Sequence, residues 1–278
     1  MTYERFWQSL TSVYDTGEAK AVARMVLDVR FGLSLADILC GKDTQLSAKE
    51  QAEWQEILRR LLKGEPVQYV LGVADFGPRQ FAISPGVLIP RPETYELCQW
   101  CLPPSPSEWS GSVLDIGTGS GCIACTLAAE LPKARVTGWD ISAKALDVAR
   151  ENAKRAHVLV SFRCQDILNP PADTAQWDLI VSNPPYICER EKDGMAPWVL
   201  NHEPSLALFV PDEDPLLFYQ AIAEYARKAL RKGGKLYFEI NPLYVFPLGE
   251  MLREQGFRDI LPGKDQFGKN RFVKALWQ

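Results

Sequence analysis

The sequence predicts an α/β protein, a doubly wound sheet of seven strands preceded by a small helical bundle and a β-hairpin. Strand and helix patterns alternate from residue 111 onward, residues 1–72 show helical patterns only, and glycine, proline and β-formers fill the stretch between. At 278 residues there is room for one large domain, or an ordinary domain with a small one. Hydrophobic content of 46% and charged content of 24% are ordinary for a globular chain. A net charge of −4 and a pI near 5.4 supply no overall basic field for nucleic acid, and no apolar run reaches the length of a membrane span. The first residues, Met1-Thr2-Tyr3-Glu4-Arg5, lack the apolar core of a signal peptide, and a cytoplasmic protein is expected.

In residues 1–72, Phe6, Leu10 and Val13 mark one apolar stripe, and Val22, Met25, Val26 and Val29 a second. A third helix starts at the capping box Ser47-Ala48-Lys49-Glu50, buries Trp54, Ile57, Leu58, Leu61 and Leu62, and stops at Gly64. Pro66 suits the first turn of a short last helix through Leu71. No chemical motif lies here, so the expectation is a bundle that binds a partner or braces the rest. Boundaries are expected at 1–72 for the helical domain, 73–91 for the hairpin linker and 92–278 for the sheet domain. The linker carries Asp75-Phe76-Gly77-Pro78, Phe81-Ala82-Ile83 and Val87-Leu88-Ile89. It ends in a rigid corner, Pro90-Arg91-Pro92-Glu93-Thr94, that opens a helix with Tyr95, Leu97 and Trp100. The corner reads as a structural joint, with Arg91 and Glu93 open to a functional role.

Strands are then expected at 113–116, 135–139, 158–164, 179–182 and 235–240, with helices at 122–131, 143–156, 216–230 and 243–254. Segments 257–261 and 271–277 close the chain as an antiparallel pair at one edge. Seven scattered cysteines read as free thiols of a reducing compartment. Cys98 with Cys101, and Cys122 with Cys125, approach a zinc-ribbon spacing. The stretch between the pairs, however, holds a strand and a glycine turn, and Cys122 and Cys125 fall one helical turn apart beside Ile123 and Leu127. They are expected as small hydrophobes, with no metal.

The apolar run Trp177-Asp178-Leu179-Ile180-Val181-Ser182 ends in Asn183-Pro184-Pro185-Tyr186. Neither proline can donate to a ladder, and Pro184 pushes Asn183 out of the α region. A stiff ledge results at a strand's C-terminal end, where open α/β sheets bind ligands. It offers two acceptors, the Asn183 side-chain oxygen and the Pro184 carbonyl, and the aromatic face of Tyr186, with no strong base and no nucleophile. That inventory suits a flat, weakly basic NH2 group, an amide or the exocyclic amine of a base. A proline-rich loop after a core strand is the plainer alternative.

The stretch Asp115-Ile116-Gly117-Thr118-Gly119-Ser120-Gly121 joins the first of these strands to its helix. Its glycines allow a tight turn and close approach to a ligand. The spacing is not that of a dinucleotide fingerprint, and no Gly-Lys-Ser/Thr follows. Asp140 ends the next strand, where a carboxylate can take both hydroxyls of a ribose. Asp166 ends the third, and could bond an adenine amine while Ile167 or Leu168 covers the ring. Taken singly, each acid reads equally as a helix cap or a surface turn. Acid-tipped strands without a phosphate-binding lysine suit an adenosine ligand lacking a pyrophosphate, such as S-adenosylmethionine.

The segment 115–121, Asp140 and Asn183-Pro184-Pro185-Tyr186-Ile187 together resemble class I S-adenosylmethionine-dependent methyltransferases that act on a planar nitrogen. Three further stretches resemble the release-factor glutamine N5-methyltransferases, and the likeness runs over nearly the whole chain. They are Glu65-Pro66-Val67-Gln68-Tyr69-Val70-Leu71-Gly72, Ile89-Pro90-Arg91-Pro92-Glu93-Thr94 and Glu203-Pro204-Ser205-Leu206-Ala207-Leu208-Phe209. The chain departs from the family at Glu239-Ile240-Asn241-Pro242, where Glu-Ile-Gly is usual.

The resemblance implies a Rossmann-like methyltransferase sheet, S-adenosyl-L-methionine as cofactor and S-adenosyl-L-homocysteine as product. It implies methyl transfer to the side-chain amide nitrogen of the glutamine in the Gly-Gly-Gln motif of peptide chain release factors, a step serving translation termination. By resemblance, Gly117, Thr118, Gly119, Ser120 and Gly121 cradle the methionine part of the cofactor, Asp140 holds the ribose, and Ile167 or Leu168 packs near the adenine. Asn183, which also borders the cofactor, and the Pro184 carbonyl accept the amide hydrogens of the substrate. Pro185 completes the substrate side, and Tyr186 packs on the flat amide. An adenine-N6 nucleic-acid methyltransferase shares the tetrapeptide and is the alternative. The acidic pI and the lack of a Lys/Arg-rich stretch weigh against it. A release-factor protein is therefore the expected partner, with no direct nucleic acid and no membrane. A non-catalytic scaffold on the same fold is a third reading.

Overall fold

In a computed structural model that describes residues 1–278, the chain divides into two units, Met1–Val73 with Ala196–His202, and Ala74–Met195 with Glu203–Gln278. The first unit is helical. Thr2 and Asp15 accept first-turn amides and start α1 (Tyr3–Leu10) and α2 (Thr16–Phe31). Capping boxes of Ser34 with Asp37 and Ser47 with Glu50 start α3 (Leu35–Leu39) and α4 (Ala48–Leu61). Pro66 stands as the cap of α5 (Val67–Leu71), one position ahead of the first turn expected for it. The core forms around fully buried Trp54, whose ring meets Phe6 at 5.3 Å and Phe31 at 6.0 Å. The apolar stripes differ in part from expectation. α1 ends at Leu10, leaving Val13 exposed, and Leu62 and Val29 are exposed too. The buried face of α2 is Ala19, Val22, Ala23, Val26 and Leu27, in which small alanines take positions that a count of large apolar residues passes over. At five residues, α3 is too short for a helical period to announce it.

A hairpin of β1 (Val73–Phe76) and β2 (Arg79–Ala82) follows, while residues 87–89 form no strand. Its turn needs Gly77, because a Cβ there would overlap the Tyr95 ring. α6 (Pro92–Cys101) begins with Pro92 at its first turn. The alternating part comprises β3 (Ser112–Ile116), α7 (Cys122–Glu130), β4 (Arg135–Asp140), α8 (Ala143–Arg155), β5 (Val160–Cys164) and β6 (Trp177–Ser182). A two-residue strand β7 (Ile187–Cys188), the helix α9 (Pro197–His202) of the first unit, and β8 (Phe209–Val210) come next, β7 pairing with β8. The chain closes with α10 (Leu217–Ala229), β9 (Leu230–Glu239), α11 (Val245–Glu254), β10 (Arg258–Lys264) and β11 (Asn270–Leu276).

Seven strands make one sheet in the order β10-β11-β9-β6-β3-β4-β5. Its middle five strands run parallel, and β11 and β10 add an antiparallel edge. β9 begins five residues before the expected start. Leu230 pairs with Trp177, and the Lys232-Gly233-Gly234 stretch bulges before pairing resumes at Lys235. Side chains alternate between two cores. Leu114, Ile116, Ile180 and Phe238 pack with α10 and α11, whereas Val113, Val181 and Tyr237 pack with α6 and α7. Cys98, Cys101, Cys122 and Cys125 all sit in the second core, and burial pushes each thiol up, Cys122 and Cys125 to about 12. Protonated and enclosed, they pack as small hydrophobes.

Candidate active site

The chain leaves β3 for β4 and β5 on one side and returns through β6 and β9 on the other, so the ends of β3 and β6 flank the point where strand order reverses. A cleft of about 270 Å³ opens there. Gly117, Thr118, Gly119 and Ser120 line it from the turn after β3, Asp140 from the end of β4, and Ile167 and Leu168 from beyond β5. Asn183, Pro184 and Pro185 line it from the end of β6.

The three turn glycines divide by role. Gly117 and Gly119 have φ of 73° and 55°, and a Cβ on either would meet nothing closer than 4.0 Å, so the space beside them is open to a ligand. Gly121 does not line the cleft. A Cβ there would press on Ala149 at 3.0 Å, so this glycine lets α7 approach α8. The turn is tied down on β4: the amides of Gly117 and Thr118 donate to the Trp139 carbonyl, and Gly119 N–H donates to Asp140 Oδ2 at 2.8 Å. Asp140 Oδ1 accepts from Ser142 N–H, also at 2.8 Å. Burial pushes this carboxyl up against the pull of those amides. Asp166, which also lines the cleft, closes its own turn, accepting from Leu168 N–H at 2.9 Å and Asn169 Nδ2 at 2.7 Å.

Asp115 is wholly buried, accepts from the Thr118 hydroxyl at 2.6 Å and Ala124 N–H at 3.1 Å, and leaves Oδ1 without a partner. Burial pushes its carboxyl up to about 7. An aspartate in an unfolded chain titrates near ~3.9. Between those values the folded chain holds the extra proton, so stability falls as pH climbs through that interval and levels off above about 7. Asp115→Asn is expected to abolish this part of the decline, making the variant gain on wild type from acid to neutral pH in denaturant titrations. Parallel curves for the two proteins would refute it.

The ledge after β6 is braced from behind. Ser182 Oγ donates to the Ile116 carbonyl at 2.6 Å, and Asn241 Nδ2 reaches the Tyr186 carbonyl at 3.3 Å and both carboxylate oxygens of Glu191 at 3.1 Å. Asn241 thus clamps the far end of the tetrapeptide. No group of the chain bonds the Pro184 carbonyl, and Asn183 uses its Nδ2 on Thr94 Oγ1 at 3.2 Å, leaving Oδ1 free. Tyr186 is not among the lining residues. Its ring packs on the core beneath the sheet, its hydroxyl donates to Glu239 Oε1 at 3.1 Å, and burial pushes that hydroxyl up.

Three residues enter the site without having been assigned a role from sequence. Glu239 ends β9 and is fully buried, accepting from Thr94 Oγ1 at 2.6 Å as well as from Tyr186; burial pushes its carboxyl up. The rule that flagged Asp140 and Asp166, an acid at the tip of a parallel strand, applies equally to Glu239. Thr94 lines the cleft from the Pro-Arg-Pro-Glu-Thr corner. Glu203, with no side-chain exposure, pairs with Arg91 at 2.5 Å and accepts from Ile89 N–H at 3.1 Å.

Open space beside Gly117 and Gly119, the Asp140 carboxylate at the tip of β4 and the apolar Ile167 and Leu168 fit a ligand that joins a flexible polar part, a pair of hydroxyls and a flat ring. S-adenosylmethionine, with its methionine part, ribose and adenine, has that chemistry.

Two family models match the chain, the PrmC N-terminal domain over residues 5–72 and the methyltransferase small domain over residues 100–205. A release factor glutamine methyltransferase of Bacteroides thetaiotaomicron is 49% identical over 96% of this chain and 96% of its own. Another, of Flavobacterium psychrophilum, is 38% identical over 98% of this chain and 96% of its own. Among solved structures, a methyltransferase from Pyrococcus furiosus superposes with a TM-score of 0.53 over 83% of this chain and 98% of that one, and at 17% identity it speaks for the fold. With relatives this similar along nearly their entire length, the chain belongs to the release factor glutamine methyltransferase family.

Proposed function

We propose that this chain transfers a methyl group to the side-chain amide nitrogen of the glutamine in the Gly-Gly-Gln motif of peptide chain release factors, with S-adenosyl-L-methionine as donor. The observation that carries the reading is the pair of free acceptors, Asn183 Oδ1 and the Pro184 carbonyl, on the wall of the cleft that also holds the glycine turn. When bound, the cofactor supplies an electrophilic methyl on a sulfonium. Gly117 and Gly119 would admit its methionine part, Asp140 its ribose, and Ile167 and Leu168 its adenine.

An amide nitrogen is a poor nucleophile because its lone pair is delocalised. Two fixed acceptors hold the NH2, orient it, and favour the positive charge that grows on nitrogen during transfer. Positioning of this kind can lower a barrier by about 7–11 kcal/mol in ideal cases. The proton can leave after transfer, so the site needs no histidine; neither His157 nor His202 lines the cleft. The helical unit is assigned to recognition of the release factor and the sheet unit to chemistry, in keeping with a cleft lined wholly by the second unit.

Incubation with cofactor and a release factor, followed by mass spectrometry of the Gly-Gly-Gln peptide, is expected to show one added CH2 on the glutamine. An unmodified peptide, with label entering nucleic acid instead, overturns the assignment.

A further inference from the structure

The terminal amide of Asn183 has an acceptor end and a donor end, and the ledge can hold a substrate NH2 only if the acceptor end faces the cleft. We propose that Thr94, held by the buried carboxylate of Glu239, is the positioning residue that sets which way the Asn183 amide points. Thr94 is 3% and Glu239 2% exposed, so water does not compete for their bonds. A threonine hydroxyl has one hydrogen to give and two lone pairs to accept with. That hydrogen goes to Glu239 Oε2 at 2.6 Å, so toward Asn183 the hydroxyl can only accept. It takes Asn183 Nδ2–H at 3.2 Å, which turns the NH2 away from the substrate and leaves Oδ1 for it.

The other oxygen of Glu239 accepts from the Tyr186 hydroxyl, so one carboxylate grips the tetrapeptide at both ends, directly at Tyr186 and through Thr94 at Asn183. Arg271 lies near enough to favour the negative charge, and the Tyr219 hydroxyl holds the Glu239 backbone carbonyl at 3.1 Å. Without the Thr94 hydroxyl the amide is free to turn, and half of its orientations set a donor against the donors of the substrate.

The inference rests on the proposed reaction for its kinetic readout, and a spectroscopic readout tests it independently. Thr94→Val keeps the shape and removes the hydroxyl. Its kcat is expected to fall about tenfold to a hundredfold, the scale of an ~1 Å misplacement, with little change in KM or in S-adenosylmethionine affinity. Thr94→Ser should restore most of the rate. In an Asn183→Ala background, Thr94→Val should cost nothing further, since there is no amide left to orient. In 15N spectra of the labelled protein, the Asn183 side-chain NH2 should exchange slowly with water in wild type and Thr94→Ser, and quickly in Thr94→Val. Wild-type kcat in Thr94→Val, or losses that multiply with Asn183→Ala, would overturn the inference. If the wild type methylates no release factor, the function fails while the exchange rates decide the inference: unchanged protection in Thr94→Val rejects it, and lost protection upholds it.

Discussion

Asn183→Ala is expected to lower turnover by about 10²–10³-fold, the loss that follows removal of one preorganised group facing developing charge. The side chain of Asn183 offers one acceptor, Oδ1, that the backbone cannot replace, because the other acceptor, the Pro184 carbonyl, addresses a different hydrogen of the same NH2. Cofactor affinity should change little, since the turn at Gly117 and Gly119 is anchored on Trp139 and Asp140 rather than on Asn183. Titration calorimetry with S-adenosylmethionine and single-turnover methylation of a release factor separate the two effects. Full activity in the variant would sink the proposed role of the side chain, and a collapse of cofactor binding would reassign Asn183 to the cofactor.

The division between what sequence shows and what it hides follows distance along the chain. The glycine turn, the strand before it and the acid at 140 lie within one strand-helix-strand unit, and local periodicity and turn chemistry reveal them. The ledge is legible for the same reason, since prolines act on their immediate neighbours. The contacts that brace it are not local. Thr94 meets Glu239 across 145 positions, and Arg91 meets Glu203 across 112, and no pattern of period two or 3.6 marks such pairs. Tyr186 shows the consequence. An aromatic beside a ligand-binding ledge is expected to face the substrate; here a buried carboxylate from a strand over fifty residues away accepts its hydroxyl, and its ring packs against the core. The stretches around residues 94 and 203 stand out as motifs, but a motif names no partner for Thr94 or Glu203 on a distant element.

Arg91→Ala should destabilise the second unit more than any single change on its surface. Glu203 has no side-chain exposure, while Arg91 is 29% exposed. Breaking a buried ion pair by removing one partner costs about 3–5 kcal/mol, because the remaining charge stays in a low-dielectric setting. With Arg91 partly open to solvent, the lower end applies, about 3 kcal/mol. At about 2–4 °C per kcal/mol for a unit of this size, melting should fall by about 6–12 °C. Glu203→Gln should fall by less, because its amide oxygen can still accept from Arg91 or Ile89 N–H and the charge left behind, on Arg91, is partly open to solvent. The same substitution tests an alternative role for Arg91, which lines the cleft. If the guanidinium served only to bind ligand, Arg91→Ala would melt as wild type does and lose affinity alone. A structural joint predicts the reverse order of effects: a large drop in melting temperature in the ligand-free protein, with weaker cofactor binding following from the loosened segment 86–91 rather than from a lost contact.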